Sequence, residues 1–412
     1  MAIECVRWHK ETLKDALESR RVIVISGSRQ CGKTTLAKQI IKDLGDNTIF
    51  RTLDNPDFLK LALEDPLNFV RHSKKTMIID EAQRAPELLP AIKMIVDENP
   101  AYGQFLLTGS ADIQSLPAVR ESLAGRVKNI YLKPLTQGEI LSVKPSFIKK
   151  CLSMDFPDII KGFDKKDLIN KAFIGGYPEA VFSKPKNRKD WHRDYISAML
   201  ARDLKEILNI SRQDAIDKLF KILCAWSAKF IDWTTIGANL EISANTLKSY
   251  VNVLKTLCLF EGVPAWIETD YERAVRKEKI FAADCGFMTS ILDWEQDDIF
   301  LDSDKSGKLI ETFVYNELAA QISLNSDYNL YHYRDREKRE IDFLINAPKD
   351  TVIAIEVKAG ESADLSDFKH IQWFRQNLAA DKTVIGIILY SGEQTLAYKK
   401  NNFIVPISLL WN

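Results

Sequence analysis

A glycine-rich segment at residues 27–34 has the residue types and spacing of a phosphate-binding loop. It satisfies the pattern G-x-x-x-x-G-K-[ST] and lies between a strand-like and a helix-like segment, which is the context that the pattern requires. Its two glycines let the backbone curl so that successive amides point at phosphate oxygens, and the helix adds its positive end. The alternative is a chance glycine-rich turn. The pattern predicts that a triphosphate is bound by Gly27, Ser28, Arg29, Gln30, Cys31, Gly32, Lys33, Thr34 and Thr35.

The end of this loop and a pair of acids farther along the chain could together hydrolyse the triphosphate. Lys33 would bind the β and γ phosphates, and the Thr34 hydroxyl would coordinate Mg²⁺. Asp80 and Glu81 end an apolar run, so a strand there would bring them to the carboxyl end of the sheet, beside the loop. We expect Asp80 to hold Mg²⁺ and Glu81 to polarise the attacking water. On their own, the two acids could equally begin a loop or a helix.

Two further candidates for the same reaction follow in the chain. The run 104–108 ends in hydroxyl side chains, so Thr108 or Ser110 could sense the γ phosphate. Arg126 could supply a cation to the transferring phosphoryl group, an effect worth about 10³ to 10⁵ in rate. Arg126 could act in its own subunit or in a neighbouring one, or it could form only an ion pair.

A second group of charged residues lies in the last quarter of the chain. Residues 340–345 and 353–358 alternate polar and apolar as strands do, so Glu356 and Lys358 would point to one face, with Asp342 on the adjoining strand. Two neighbouring carboxylates repel each other unless a cation or a proton intervenes, so Asp342 and Glu356 could hold a divalent ion such as Mg²⁺. Glu311, on a helix-period segment, would be a third ligand. Lys358 could then activate water or stabilise charge in the transition state.

This spacing resembles the D…ExK signature of restriction-type nucleases. The alternative is that Asp342, Glu356 and Lys358 form an internal ion pair in a catalytically silent domain, because E-x-K on a strand is commonplace.

The elements that would position these residues fall into three stretches. Short apolar runs at residues 21–26, 48–53, 76–80 and 104–108 alternate with helix-length segments, which predicts an α/β fold with a parallel sheet covered by helices on both faces. From about residue 133 to residue 260 the sequence is mostly helical. Strand-like runs then return at residues 279–282, 340–346, 351–357 and 383–390.

The middle stretch contains the pattern of a helix-turn-helix. Residues 232–240 predict a short helix, 241–243 a turn, and 244–259 a second helix with apolar residues at helical spacing. On a DNA-binding protein the second helix would present Asn245, Lys248 and Ser249 to a groove. A protein-docking module or an interdomain strut has the same pattern, and few cations lie on that helix.

Composition restricts the classes of partner. The chain has 412 residues, and its 57 lysines and arginines balance 57 aspartates and glutamates, so no overall charge draws it to nucleic acid or to an anionic membrane. Its six cysteines are scattered, which favours a reducing compartment over a disulfide framework or a zinc site. No apolar run is long enough for a membrane helix, and the amino-terminal residues lack an apolar signal core. We therefore expect a cytoplasmic protein without a membrane partner.

The ordered motifs resemble one family over nearly the whole chain. They read GSRQCGKTT, MIIDEAQ, LLTGS, SLAGR, LKPLTQGEI, GGYPE and YISAMLARD, the last at residues 195–203. This set is similar to that of prokaryotic AAA-type (AAA_14-like) ATPases with a C-terminal DUF4143 domain. The resemblance implies ATP as the nucleotide and three parts: a P-loop AAA-type domain at 1–140, a helical and winged-helix segment at 141–268, and a restriction-endonuclease-like α/β domain at 269–412.

Two functions from different classes agree with these expectations. In one, ATP hydrolysis is coupled to a nuclease-like domain and acts on DNA through that domain and the winged helix. In the other, the chain is a nucleotide-dependent switch or scaffold for a protein partner, with an inert nuclease-like domain. Assembly into a homo-oligomer agrees with either function.

Overall fold

A computed structural model describes residues 5–110, 123, 125–160, 163–207, 213–267 and 277–412. For residues 202–207 and 213 it describes the backbone only. Part of the SLAGR motif and the side chains that end the motif at 195–203 therefore lie outside the described residues. The chain divides into two compact units. The first comprises residues up to 135 with 256–258, and the second comprises 136–255 and 259–412. The three-domain division remains a prediction.

The first unit is built on a five-stranded sheet whose strands are all parallel, in the order β2-β3-β4-β1-β5. The strands are β1 (Val22–Ser26), β2 (Thr48–Thr52), β3 (Thr76–Asp80), β4 (Phe105–Thr108) and β5 (Val127–Tyr131). The helices are α1 (His9–Ser19), α2 (Lys33–Leu44), α3 (Pro56–Glu64), α4 (Pro66–Val70) and α5 (Leu88–Glu98).

Both faces of this sheet are covered, because alternate residues of β1 enter different apolar cores. Val22 and Val24 pack in the core that α3, α4 and α5 cover, whereas Ile23 and Ile25 pack in the core that α1 and α2 cover. Burying one such side chain contributes roughly 1.5–3 kcal/mol, so β1 anchors both layers. The predicted α/β fold with a parallel sheet is confirmed.

The second unit begins with helices and ends with a mixed sheet. Its helices are α6 (Gln137–Ile140), α7 (Phe147–Ser153), α8 (Lys165–Ile174), α9 (Pro178–Phe182), α10 (Pro185–Ile207), α11 (Gln213–Ala225), α12 (Trp233–Leu240), α13 (Ala244–Thr256), α14 (Cys285–Ile291), α15 (Gln296–Leu301), α16 (Ser303–Ile322) and α17 (Lys369–Asn377). Its strands are β6 (Lys229–Phe230), β7 (Phe260–Val263), β8 (Lys279–Ala282), β9 (Asn329–Arg334), β10 (Glu340–Ala347), β11 (Thr351–Lys358), β12 (Thr383–Tyr390), β13 (Leu396–Ala397) and β14 (Asn402–Pro406).

These strands form two sheets. One has six strands in the order β13-β14-β12-β11-β10-β9, with β11, β12 and β14 parallel and the remaining pairs antiparallel. The other is a small antiparallel sheet in the order β6-β8-β7. Beside it, Asp232 caps α12 by accepting hydrogen bonds from the Thr234 and Thr235 amides, and Glu241 has the left-handed backbone that ends this helix. The second predicted helix ends at Thr256, three residues earlier than expected.

Candidate functional site

The glycine-rich loop connects β1 to α2 and takes a conformation that requires its glycines. Gly27 has φ 149°, and a Cβ there would lie 2.2 Å from the Leu132 carbonyl oxygen, far inside van der Waals contact. Gly32 has φ 104°, in the left-handed region that favours glycine. The loop therefore curls closely over the backbone that follows β5, as the sequence pattern predicts.

Two side chains of the loop, Lys33 and Ser28, could bind an anion. The Lys33 ammonium is buried and donates to the carbonyl oxygens of Gly27 at 3.1 Å and Ser28 at 2.7 Å. The Ser28 hydroxyl is buried without a hydrogen-bond partner in the described part of the chain. An unpaired buried hydroxyl costs free energy, and a phosphate oxygen would satisfy it.

Sequence reasoning missed the residue that supports the loop from outside it. Arg7 is buried and donates to the Cys31 carbonyl oxygen at 2.7 Å and to the Lys133 carbonyl oxygen at 2.5 Å. One guanidinium thus fixes the loop to the segment after β5. No local signal marks Arg7, because its two partners are 24 and 126 residues away.

Asp80 gathers hydroxyl groups at the carboxyl end of the sheet. Its Oδ1 accepts a hydrogen bond from the Thr34 hydroxyl at 2.8 Å and another, short one from Thr108. The Thr52 hydroxyl, which the sequence did not suggest, lies 3.4 Å from its Oδ2. Hydroxyl and carboxylate oxygens are the ligands that Mg²⁺ prefers, so this donor set fits the metal that the loop implies. Thr34 and Asp80 are the residues that would hold it.

The other residues predicted for this site lie at the end of β3, beyond β4 and along the loop. Glu81 follows Asp80 directly with a left-handed backbone, and its Oε2 accepts a hydrogen bond from the Gln83 amide at 2.6 Å. Ser110 is half-buried just beyond the end of β4. Gln30 and Thr35 are exposed at the rim of the loop, and Arg29 is half-buried there.

The backbone of Arg126 lies at the edge of the sheet opposite the loop. Its carbonyl oxygen accepts from the Val22 amide at the amino end of β1, whereas the loop begins after the carboxyl end. Five strand residues separate the two ends, or roughly 16 Å. Its guanidinium pairs with Asp97 at 2.5 Å. The structure contains the ion pair, and a catalytic role for Arg126 in its own subunit or in a neighbouring one stays a prediction.

In the second unit, a lysine that sequence reasoning did not single out stands among three carboxylates, two of which, Glu311 and Asp342, were predicted site residues. Lys279, the first residue of β8, has a side chain only 1% exposed. Its ammonium lies 2.6 Å from Glu311 Oε1, 2.9 Å from Glu340 Oε1 and 2.9 Å from Asp342 Oδ1. Burial alone would lower the pKa of Lys279, but the charges of Asp342, Glu311 and Glu340 outweigh it and hold that pKa well above its ordinary value.

The strand residues of the D…ExK pattern lie beside this lysine. Asp342 Oδ2 accepts from the Val357 amide at 3.0 Å, and Lys358 lies 3.6 Å from Glu356 Oε1 and 3.4 Å from Asp367. Burial, with repulsion from Asp342, raises the pKa of the Glu356 carboxyl above its usual range. Glu356 Oε2 is buried without a hydrogen-bond partner among the described residues.

A divalent ion does not fit this cluster as it stands. The ammonium of Lys279 already occupies the space between Glu311, Glu340 and Asp342. Within the described ranges, no group of three or more acidic, histidine or cysteine side chains is arranged to hold a metal ion. The structure thus brings Glu311 and Asp342 together as expected, but around a lysine. Two sequence signals could have indicated this arrangement. Acidic and apolar residues alternate at 340–342, and a single charged residue begins the apolar run 279–282.

The helix proposed to contact DNA presents a polar face. Asn245, Lys248 and Ser249 are exposed on α13. The Lys248 ammonium lies 5.9 Å from the centre of the Trp233 ring, and Lys255 pairs with Glu278 at 2.5 Å.

Family models match three segments of the chain. Residues 19–141 match AAA_14, described as an AAA domain. Residues 165–298 match DUF8612 and residues 306–410 match DUF4143, both described as domains of unknown function. The predicted AAA_14 and DUF4143 domains are therefore confirmed.

Two mycobacterial proteins are each 26% identical to this chain over 335 residues, which cover 81% of this chain and 69% of theirs. They are Uncharacterized protein Rv2008c of Mycobacterium tuberculosis and Uncharacterized protein Mb2031c of Mycobacterium bovis.

Two solved structures to which the chain is similar come from Pyrococcus abyssi and Thermotoga maritima. The Walker-type ATPase PABY2304 of Pyrococcus abyssi is 14% identical, with 69% of this chain and 94% of that chain covered and a TM-score of 0.41. The RuvB Holliday junction branch migration motor of Thermotoga maritima is 20% identical, with 64% and 93% covered and a TM-score of 0.28. Similarity of this size carries no functional assignment.

In the described part of the chain, no helix has the length and apolarity needed to span a membrane.

Proposed function

Because residues 19–141 form an AAA_14 domain and residues 306–410 a DUF4143 domain, we propose that this protein binds ATP with Mg²⁺ and hydrolyses it at the loop of the first domain. One observation carries the proposal: the hydroxyls of Thr34 and Thr108 converge on the carboxylate of Asp80 where the glycine-rich loop enters α2. A P-loop ATPase needs this pairing of a loop hydroxyl with a strand-end acid.

Each residue has a distinct role in the proposed reaction. The loop amides and Lys33 bind the phosphates, and Lys33 exchanges its two carbonyl partners for phosphate oxygens. Thr34 and Asp80 would hold the metal ion, which when bound would offset charge on the phosphates. Glu81 would orient the attacking water. Thr108 holds the Asp80 carboxylate in position through its hydrogen bond.

Purified protein should bind ATP and release phosphate in the presence of Mg²⁺. Lys33→Ala should lose ATP binding, whereas Glu81→Gln should keep binding and lose about 10² or more in rate, the typical contribution of a general base. Lys38→Ala is the matched control, because Lys38 is an exposed lysine of the same helix. Undiminished binding and turnover in Lys33→Ala would refute the proposal.

We further propose that the ATPase acts on DNA through α13. We interpret α11, β6, α12, α13, β7 and β8 as a winged helix, since two helices joined by a tight turn precede an antiparallel strand pair. The exposed face with Asn245, Lys248 and Ser249 supports this, because these side chains can donate to phosphates and bases. The scarcity of cations predicts weak binding with a shallow salt dependence, because the salt dependence of affinity grows with the number of phosphates that cations neutralise.

Fluorescence anisotropy with labelled single- and double-stranded DNA, with and without ATP, tests this second proposal. Lys248→Ala combined with Asn245→Ala should weaken binding, whereas Lys255→Ala, whose ammonium is already paired with Glu278, should have a smaller effect. If neither the parent nor any variant binds DNA in either nucleotide state, the alternative of a switch for a protein partner is favoured.

We also propose a restriction-endonuclease-like fold for the C-terminal domain. The support is the arrangement of Asp342 on β10, Glu356 and Lys358 on β11, and Glu311 on the packed helix α16.

A further inference from the structure

The Lys279 ammonium donates hydrogen bonds to Glu340 and Asp342 and forms a close ion pair with Glu311. The group has three N–H donors and no acceptor. Three carboxylates surround it at 2.6 to 2.9 Å, the range of charge-assisted hydrogen bonds and close ion pairs. They come from two elements that are distant in sequence, with Glu311 on α16 and Glu340 and Asp342 on β10. The tertiary fold has therefore gathered three carboxylates around one buried lysine.

A divalent ion and this ammonium exclude each other. Mg²⁺ binds carboxylate oxygens at roughly 2.1 Å and Ca²⁺ at roughly 2.3–2.6 Å, so a metal shared by Glu311 and Asp342 would lie almost where Lys279 Nζ lies. A metal ion and the Lys279 ammonium at nearly the same position would repel each other strongly in a buried site. Lys358 does not compete in the same way, because its side chain is 34% exposed and its contacts to Glu356 and Asp367 are 3.6 and 3.4 Å.

We infer that Lys279 is the resident cation of this cluster and takes the place of a divalent metal, so that the DUF4143 domain neither binds Mg²⁺ or Mn²⁺ there nor cuts DNA from that site. The carboxylates keep their arrangement because a cation belonging to the chain itself offsets part of their mutual repulsion. The inference concerns the second unit alone and does not rest on the proposed ATPase activity.

Mn²⁺ binding followed by electron paramagnetic resonance tests the inference. The full-length chain carrying Asp80→Asn, without nucleotide, serves as the parent so that the loop site does not contribute metal. We expect this parent to bind no Mn²⁺ that depends on Asp342. Lys279→Met in the same background should gain about one bound Mn²⁺ per chain, and a further Asp342→Asn change should remove it. Lys358→Met is the matched control and should gain none, because Lys279 stays in place.

Thermal unfolding gives a second readout. Lys279→Met should unfold at a lower temperature than the parent without metal and recover part of the loss with Mn²⁺, while the parent should not respond. If Lys279→Met does not fold, the inference is tested on the parent alone, by Mn²⁺ binding and by DNA cleavage. Mn²⁺ binding to the parent that Asp342→Asn abolishes would overturn the inference, as would metal-dependent DNA cleavage by the parent that the same change abolishes. A folded Lys279→Met chain that binds no Mn²⁺ would overturn it as well.

Discussion

Replacing Thr108 by valine isolates one hydrogen bond at the centre of the proposed ATPase site. The Thr108 hydroxyl is fully buried and donates to Oδ1 of Asp80, the oxygen that also accepts from Thr34. Valine has nearly the same shape but cannot donate. A hydrogen bond to a charged group contributes about 1.5–3 kcal/mol. Because Thr34 still donates to the same oxygen, we expect a loss near the lower end of that range.

The same loss should appear in catalysis if the bond orients Asp80 for the metal. About 1.5 kcal/mol corresponds to roughly a tenfold lower rate of phosphate release. Steady-state assays at several Mg²⁺ concentrations would separate an effect on kcat from one on the apparent affinity for Mg²⁺ and ATP. Thr108→Ser should restore most of the rate, because serine returns the hydroxyl.

Thr48→Val provides the control on the same sheet, since the Thr48 hydroxyl donates to the Gly45 carbonyl at the amino end of β2. We expect this variant to change the rate less than twofold, about 0.4 kcal/mol on the same scale. The reasoning is refuted if Thr108→Val hydrolyses ATP at the parent rate, or if Thr108→Ser is as slow as Thr108→Val.

Three further predictions follow from single residues. Gly27→Ala should abolish ATP binding in a titration and cost several kcal/mol in urea unfolding, since its Cβ would lie 2.2 Å from the Leu132 oxygen. Arg126→Ala should leave phosphate release by dilute protein unchanged and cost less than about 1 kcal/mol, because its partner Asp97 is half-exposed; a loss of rate that grows with protein concentration would instead indicate a role in a neighbouring subunit. Burial raises the pKa of Glu317 from 4.5 to about 8, so the unfolded chain loses that proton first and stability should fall as pH rises between these values. Glu317→Gln should remove a fall on the order of 4 kcal/mol, measured as urea unfolding at pH 5 and pH 8, and an unchanged pH dependence would contradict the assignment.

Local sequence patterns were sufficient to bring together the residues of the proposed nucleotide site. The apolar runs that became β1, β3 and β4 are central strands buried on both faces, so their periodicity and their polar ends were visible without any partner. A parallel sheet brings all its carboxyl ends to one edge, and for that reason Thr34, Asp80 and Thr108 could be placed together from spacing alone. Two edge strands were harder to predict than β2, which is also an edge strand and was expected at residues 48–53. β5 and β9 carry polar residues on exposed positions and were not recognised.

What the sequence by itself determined about this protein is the set of elements and the chemistry at the ends of buried strands, because both depend on residues near one another in the chain. Only the tertiary structure decided which distant side chains meet. It placed Arg126 at the edge away from the loop and Arg7 beneath the loop, and it directed Lys279 into the carboxylates of α16 and β10. A long cationic side chain has no preferred partner in its own segment, so its position depends on how the elements pack and on which buried charges need neutralising.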